Sequence, residues 1–590
     1  MDDRARLLLP QGVPVPARWD GAVFRVTPEP FAPLGPGGRP PVILLGAEVE
    51  QPLDALLTSP GRERHRAAGL RRLLRHARIG GPPGLPDPGP AAVGAAAGEA
   101  VLVLDPCDPA AVGAARDMWD TARAAASGRP VIACRAPEAP ATAKPVLAAT
   151  LPRRLDPWTL IDVAARLHAL PGPTALLAAM AGVEVRYPGG RGPDGVAALA
   201  SIAASARCAD PVRARPIPLE EAIALLGEWR AQDAAKARVA VCVGMSFWKR
   251  RSIASVFETA AGAPAFARTA RAAVAEANRR GGAIAAWSSR VPPGLEVQAR
   301  AAGVPVLWVE DGFIRSAGLG AGFLPGASIT LDSRRPYYDP SGPSDLEILL
   351  ATADFPPALL VRAAALRAAL VARGVTKYNL GGAAPVLPAM AGRRRILVPG
   401  QVEDDLSVLR GGAGSVRTNF DLLRAVRAAH PEAFIAYKPH PDVEAGYRRG
   451  RVSPADAVGL ADVVLEHVQI APLLTQVDEV HTLTSLTGFE ALLRGLSVTC
   501  WGQPFYAGWG LTTDRVPIAR RVRRLSVDEL VAGALVAYPR YQDPVTQLPT
   551  TPEALLDRLA DPVPWRGGLL GWLRRWQGGL MARIERGRRR

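Results

Sequence analysis

The stretch Arg395-Ile-Leu-Val-Pro-Gly-Gln-Val-Glu-Asp-Asp-Leu-Ser407 decides the fold class. A short apolar run, Arg395–Val398, stops at Pro-Gly and gives way at once to polar residues. A continuous apolar run bounded by turn residues suits a strand buried on both faces, hence a parallel sheet flanked by helices. Runs of the same kind recur at Pro41–Leu45, Val101–Leu104, Val239–Val243, Val306–Val309 and Phe434–Tyr437, alternating with Ala/Leu/Arg-rich helical stretches. This alternation predicts an α/β fold.

With 590 residues the chain exceeds one hydrophobic core, and roughly two to four domains are expected. Pro/Gly clusters at Gly80–Pro90, Gly189–Gly195 and Gly381–Pro388 mark breaks, and 233–238 reads as a helix end and linker. The expected parts are 1–235, 236–385, 386–562 and a tail, 563–590. An internal repeat supports this division. ILVPGQVED (396–404) resembles ILLGAEVEQ (43–51), VHTLTSLTGFEALLRGLSVTCWG (480–502) resembles LHALPGPTALLAAMAGVEVRYPG (167–189), and DPVTQLPTTPEALL (543–556) resembles DPVRARPIPLEEAIALL (210–226). The earlier copy has shed polar groups: Asp405 is matched by Pro52, Lys438 and His440 by Asp105 and Cys107, Ser485 by Gly172, and Glu490 by Leu177. A region that keeps apolar periodicity while losing ionisable groups reads as a fold kept and a site lost.

The net charge is +16, from 71 Lys and Arg against 55 Asp and Glu, which favours anionic partners. Much of the excess is local, because residues 565–590 hold eight Arg and one Glu. Nucleic-acid binding is not expected, since no platform of aromatic and basic residues accompanies the charge. Five scattered cysteines without a C-x-x-C pair argue against disulfides or structural zinc and for a reducing compartment. The N-terminus reads as no signal peptide, and no run approaches the roughly 20 apolar residues of a spanning helix. The expected location is cytoplasmic, on a membrane surface at most.

Four polar patches follow expected strands in the second half, the edge of an open parallel sheet where ligands bind. In the first, Glu310 and Asp311 precede Arg315 and three glycines; the bland alternative is a turn with a surface Glu. In the second, Glu403, Asp404 and Asp405 follow Gln401, and three successive acids repel one another unless cations or a ligand intervene. Its position makes a catalytic carboxylate a better reading than a solvated loop. The third, Tyr437-Lys-Pro-His-Pro-Asp442, sets Lys438 and His440 between prolines, which suits a phosphate or carboxylate. The fourth carries hydroxyls at Thr482, Thr484, Ser485 and Thr487 ahead of a helix expected to begin near Gly488. One hydroxyl would cap that helix; four suit a phosphate at its N-terminus. No Walker loop, G-x-S-x-G, H-E-x-x-H or dinucleotide fingerprint is present, nor a metal-ligand cluster.

Residues 236–560 resemble the KpsC/LipA family of capsule β-Kdo transferases, above all the C-terminal module of KpsC. The resemblance lies in GMSFWKRRSIASVF (244–257), WVEDGFIRSAGLG (308–320), TKYNL (376–380), VPGQVEDDLSV (398–408), YKPHPDV (437–443), the run from Val477 to Leu511, and YPRYQDP (538–544). It implies a GT-B-like pair of Rossmann-like lobes, preceded here by a degenerate Rossmann-like copy. It also implies a CMP-Kdo donor, no metal or other cofactor, and a Kdo-terminated lipid-linked acceptor in capsule linker biosynthesis and export. By resemblance Asp405 would be the nucleophile and Glu310 the acid/base. Lys438, His440, Ser485 and Thr487 would hold the CMP phosphate or the sugar carboxylate, with Glu490 near the nucleotide. Gln401, Asp404 and Arg315 are supporting candidates, and the choice between Asp404 and Asp405 as nucleophile stays open.

In the tail, Leu569, Trp572, Leu573, Trp576, Leu580 and Ile584 fall at helical spacing with arginines between them. A basic amphipathic helix of this kind suits an anionic inner-membrane surface, with packing on the protein's own surface as the alternative. Other capsule assembly proteins are further expected partners. Two other functions compete: a transferase for another CMP-activated acidic sugar, and a non-catalytic capsule assembly protein.

Overall fold

The computed structural model describes residues 64–560, with breaks at 81–84, 86, 206–207, 211, 214, 237–238, 260–261, 317–325, 377–385, 389–391, 413 and 447. It adds a parallel pair of two-residue strands, β1 (Leu7–Leu8) and β2 (Val23–Phe24). The run Pro41–Leu45, the repeat arm 43–51, Pro52 and the tail 563–590 lie outside the described residues. The chain divides into two compact units, Met1–Ala237 with Ser255–Ala263, and Arg238–Ala254 with Pro264–Arg590.

In the first unit the apolar run around Val101–Leu104 becomes β3 (Ala100–Asp105), buried along its whole length. With β4 (Val131–Arg135), β5 (Thr150–Leu151), β6 (Ala164–His168), β7 (Glu184–Tyr187) and β8 (Gly190–Arg191) it forms a sheet of order β5-β4-β3-β6-β7-β8. All pairs are parallel except β7–β8. An antiparallel pair follows, β9 (Cys208–Asp210) with β10 (Arg215–Ile217), and leads into the helix Leu219–Lys236.

The second unit holds two sheets. One comprises β11 (Val239–Val243), β12 (Ala265–Ala267), β13 (Ala283–Trp287), β14 (Val306–Asp311) and β15 (Ser328–Asp332), in the order β12-β11-β13-β14-β15. The other comprises β16 (Arg395–Pro399), β17 (Phe434–Lys438), β18 (Val463–Val464), β19 (Glu479–Thr482), β20 (Ser497–Cys500) and β21 (Thr513–Asp514), all parallel, in the order β18-β17-β16-β19-β20-β21. The chain then returns to the first sheet, where β22 (Arg540–Gln542) and β23 (Pro549–Thr550) extend it beyond β15. A single cut near 385 therefore does not separate the two sheets. The first is also mixed rather than parallel, because β15, β22 and β23 each pair antiparallel. One apolar core, from Phe313, Leu350 and Leu366 to Leu397, Val480 and Leu492, joins both sheets through the helices Asp345–Thr352 and Pro357–Ala372.

The repeat is visible as topology. Strand–helix–strand from β6 through Pro173–Met180 to β7 matches β19 through Leu486–Leu493 to β20, and the β9–β10 pair with its helix matches β22–β23 with Pro552–Leu559. The strand order corrects one part of the alignment. The central strand, which pairs two neighbours, is β3 in one sheet and β16 in the other. Asp105 pairs with Arg135 where Pro399 pairs with Lys438, so the counterpart of Lys438 is Arg135, not Asp105.

Candidate active site

Three successive acids would repel one another, and the fold disposes of this by giving each a different partner. Glu403 accepts the N–H of Asn419 at 2.8 Å. Asp404, half exposed, pairs with Arg448 at 3.1 Å. Asp405 caps the helix Leu406–Gly411, its Oδ1 accepting both the N–H (3.0 Å) and the hydroxyl (2.8 Å) of Ser407. Oδ2 takes no part in these bonds. Of the two aspartates, only Asp405 lines the cavity described below.

The loop carrying these acids is fixed at its root. Gly400 donates to the Lys438 carbonyl at 2.7 Å, and a Cβ there would fall 2.7 Å from the Tyr437 hydroxyl, so glycine is required. Buried Gln401 donates through Nε2 to Thr484 Oγ1 (2.9 Å) and accepts the Thr484 N–H (2.9 Å) and the Thr482 hydroxyl (3.3 Å) through Oε1. It thereby ties the loop after β16 to the loop after β19.

Lys438 ends β17, almost fully buried, and its ammonium bridges Glu444 (3.2 Å) and the Pro439 carbonyl (3.1 Å). His440 accepts the Asp442 N–H at Nδ1 (3.1 Å), which leaves Nε2 to carry the ring proton when the imidazole is neutral. Ser485 caps the helix Leu486–Leu493, accepting the N–H of Thr487 at 3.2 Å, so this helix starts two residues before the expected Gly488. The Tyr506 hydroxyl donates to the Ser485 carbonyl, and a Cβ on Gly488 would lie 2.3 Å from that hydroxyl. The glycine is therefore what lets Tyr506 clamp the turn.

Parallel strands open their loops on one edge, so these groups converge. A cavity of about 660 Å³ is lined by Gln401, Asp405, Lys438, His440, Ser485, Thr487 and Glu490. Glu310, Arg315 and Asp404 are not on its lining. Glu310 and Asp311 also do not follow their strand as expected; they are its last residues, opposite Thr330 and Ile329, because β14 runs two residues further than its apolar run. Buried Arg315 pairs with Asp311 at 2.9 Å. Lys249, 3.3 Å from Asp311 and 3.4 Å above the Trp287 ring centre, completes this cluster, and burial lowers its pKa against the pull of Asp311. Burial, then the Glu310 charge, pushes up the pKa of Tyr338, which does line the cavity.

Sequence reasoning passed over Tyr337, Tyr338, Asp442, Arg448 and Phe505, all on the lining. The adjacent tyrosines in PYYDP (336–340) were the available signal; Phe505 carried none beyond its motif. Among the described residues no three His, Cys, Asp or Glu side chains gather as a metal-binding set, and no helix is long and apolar enough to cross a membrane.

The chain matches the family described as capsule polysaccharide biosynthesis protein over residues 282–379 and 382–542. It is 44% identical over 312 residues to the capsule polysaccharide modification protein LipA of Neisseria meningitidis serogroup A, a match covering 52% of this chain and 43% of LipA. The chain thus spans less than half the length of that relative. It is 39% identical over 333 residues to the lipopolysaccharide-processing protein LpsZ of Rhizobium meliloti, covering 55% of this chain and 74% of LpsZ. Among solved structures, KpsC, beta Kdo 2,7 transferase, of Thermosulfurimonas dismutans is 33% identical, with 55% of this chain and 99% of that one covered and a TM-score of 0.46. With its acid, cation and helix-cap motifs falling inside these matched regions, the chain belongs to the capsule polysaccharide biosynthesis family that includes LipA and LpsZ.

Proposed function

We propose that the second unit is a retaining glycosyltransferase that moves Kdo from CMP-Kdo to a Kdo-terminated lipid acceptor during capsule linker biosynthesis. The observation that carries this reading is the single cavity that collects Asp405 with Lys438, His440, Ser485, Thr487 and Glu490. A carboxylate facing a cradle of cations, hydroxyls and helix N–H groups suits attack on a sugar whose leaving group is a phosphate.

In the first displacement Asp405 attacks the anomeric carbon, the bond from that carbon to the phosphate oxygen breaks, and CMP departs with the electron pair. His440, Ser485 and the N-terminus of Leu486–Leu493 receive the phosphate charge, so the leaving group needs little protonation. In the second, an acceptor hydroxyl attacks the same carbon, its proton passes to a base, for which Glu310 is the candidate by resemblance although it lies off the cavity lining, and the Asp405 carboxylate is released. Two inversions give net retention. The cap on Ser407 favours Asp405 over Asp404: it holds Oδ1 and leaves Oδ2 for bond formation, whereas Asp404 faces Arg448. The tail 563–590 would bring this unit to an anionic membrane bearing the acceptor.

The test is transfer itself. Incubated with CMP-Kdo and a synthetic Kdo-terminated lipid, the protein should release CMP, lengthen the acceptor, and show a transient mass increase of one Kdo residue on the peptide containing Asp405. Faster turnover of a different CMP-activated acidic sugar would replace Kdo as the donor. An acceptor that is bound but never lengthened, with any donor, would end the enzymatic reading.

A further inference from the structure

Among the described residues one buried carboxylate oxygen has no hydrogen-bond partner, Oδ1 of Asp442, a residue on the cavity lining. Asp442 follows β17 and Asp405 follows β16, and these strands pair in parallel through Pro399 and Lys438, so both carboxylates issue from the same edge. The backbone holds the side chain in place. The Asp442 N–H donates to His440 Nδ1 at 3.1 Å, and Oδ2 stands 4.0 Å from that nitrogen. Burial raises the Asp442 pKa and the Asp405 charge adds to this, while Arg448 and Arg315 act against it.

A buried acceptor left unpaired is costly, and such a group in a native site calls for an explanation. The ligand proposed above presents two kinds of surface. Its phosphate and sugar carboxylate only accept hydrogen bonds and would be repelled by Asp442. Its hydroxyls donate. Resting on that donor assignment, the geometry points to Asp442 as the residue that accepts hydrogen bonds from hydroxyls of the transferred sugar and so selects and orients the donor. The repulsion works in the same direction, turning the anionic ends of the sugar toward His440 and Ser485 and its hydroxyl edge toward Asp442. This is a binding role, separate from nucleophilic attack by Asp405.

Affinity for CMP and for CMP-Kdo tests it, measured by calorimetry in an Asp405→Ala background so that donor is not consumed. Asp442→Ala should leave the CMP Kd within about three-fold of the parent and raise the CMP-Kdo Kd by roughly 10- to 100-fold. Asp442→Asn, which keeps the volume and one acceptor, should fall between, and it guards against misfolding of the alanine variant. Single-deoxy CMP-Kdo analogues sharpen the assignment. At least one should bind the parent roughly 10-fold more weakly than CMP-Kdo does, and Asp442→Ala should not distinguish it from CMP-Kdo. Equal weakening of CMP and CMP-Kdo in both variants would place Asp442 against the nucleotide, and an unchanged ratio would deny it any part in selection; either result overturns the inference alone. A parent protein that binds CMP-Kdo no better than CMP removes the donor assignment, and this inference falls with it.

Discussion

Two six-stranded sheets in this chain share one strand order, yet the edges where their loops emerge are built from different chemistry. In the second unit the loop after the central strand β16 presents Asp405, β17 ends on Lys438 and is followed by His440, and the helix after β19 opens on Ser485. In the first unit two carboxylates at this edge, Asp105 and Glu138, are already satisfied within the protein. Asp105, at the end of β3, is fully buried and accepts from the N–H groups of Cys107 (2.8 Å), Val146 (3.0 Å) and Leu147 (2.8 Å) and from the Thr150 hydroxyl (2.6 Å). Glu138, after β4, takes the Thr174 hydroxyl at 2.6 Å, and its Oε1 lies 3.0 Å from where a Cβ on Gly172 would be. A carboxylate thus stands at the helix N-terminus whose counterpart in the second unit opens on Ser485, where the proposed function puts a phosphate. The first sheet has not so much lost polar groups as turned them inward.

The largest effect should separate the two edges most cleanly. Asp108 caps a short 3₁₀ helix after β3 much as Asp405 caps its helix after β16, each accepting the N–H two residues on. If only the second edge does chemistry, Asp405→Ala should lower the rate of sugar transfer by about 10³-fold or more, and Asp108→Ala should change it by less than about two-fold. Both are read as CMP released from CMP-Kdo. Comparable losses in the two variants would mean that the first unit takes part in the reaction.

The strands were legible because continuous apolar runs have few alternatives inside an α/β protein; β11 matches its run end for end, and β16 and β17 overshoot theirs by one residue. The polar loops were legible because charged residues between buried strands are too costly to be there by default. What escaped the sequence was pairing. Nothing in the chain announces that Arg540–Thr550 returns to the sheet of β11 to β15, since two- and three-residue strands carry too little periodicity to place. The alignment of Lys438 with Asp105 failed for the same reason, because one β–loop–α stretch resembles another until the sheet order shows which strand is central. Asp442 belongs to the motif YKPHPDV (437–443), but a missing hydrogen bond can be seen only in three dimensions.

A second contrast lies between two buried acids. In Asp105 burial pushes the pKa up, but the Thr150 hydroxyl and three backbone N–H groups outweigh it and the net shift is downward. Its stabilisation is complete above the unfolded carboxyl pKa of about 4 and is lost as pH falls through the lower folded value. Burial of Asp332 in β15 prevails instead and lifts it to about 7, although the Tyr538 hydroxyl and the Asp345 N–H bond it. Between about pH 4 and 7 the folded state holds a proton that the unfolded chain has released, so stability falls as pH rises across that window, by at most about 1.4 kcal/mol per pH unit. Hydrogen-exchange protection of β3 should therefore fail on the acid side, and that of β15 should decline toward neutrality. Asp332→Asn should flatten the second slope without touching the first. Asp105→Ala, which strands four donors, two of them buried, should cost the first unit about 3 kcal/mol. Parallel pH profiles for the two strands would contradict the assignment.

The smallest effect addresses the helix N-termini. Ser485→Gly installs in the second unit the residue that the first has at Gly172. A glycine cap costs only a few tenths of a kcal/mol relative to serine, so melting should barely shift. The hydroxyl that would meet the phosphate is nevertheless gone, and CMP should bind about 3- to 10-fold more weakly. Glu138→Ala is the reverse experiment, because it withdraws the internal anion from Pro173–Met180. With the Thr174 hydroxyl deprived of its partner and the dipole uncompensated, the first unit should lose about 1 kcal/mol. That loss should be partly restored by millimolar phosphate if the two helix starts still share an anion-binding geometry. Were Ser485→Gly to leave CMP affinity untouched, four hydroxyls before that helix would be only a cap and its supports, and the two edges would differ by less than their sequences do.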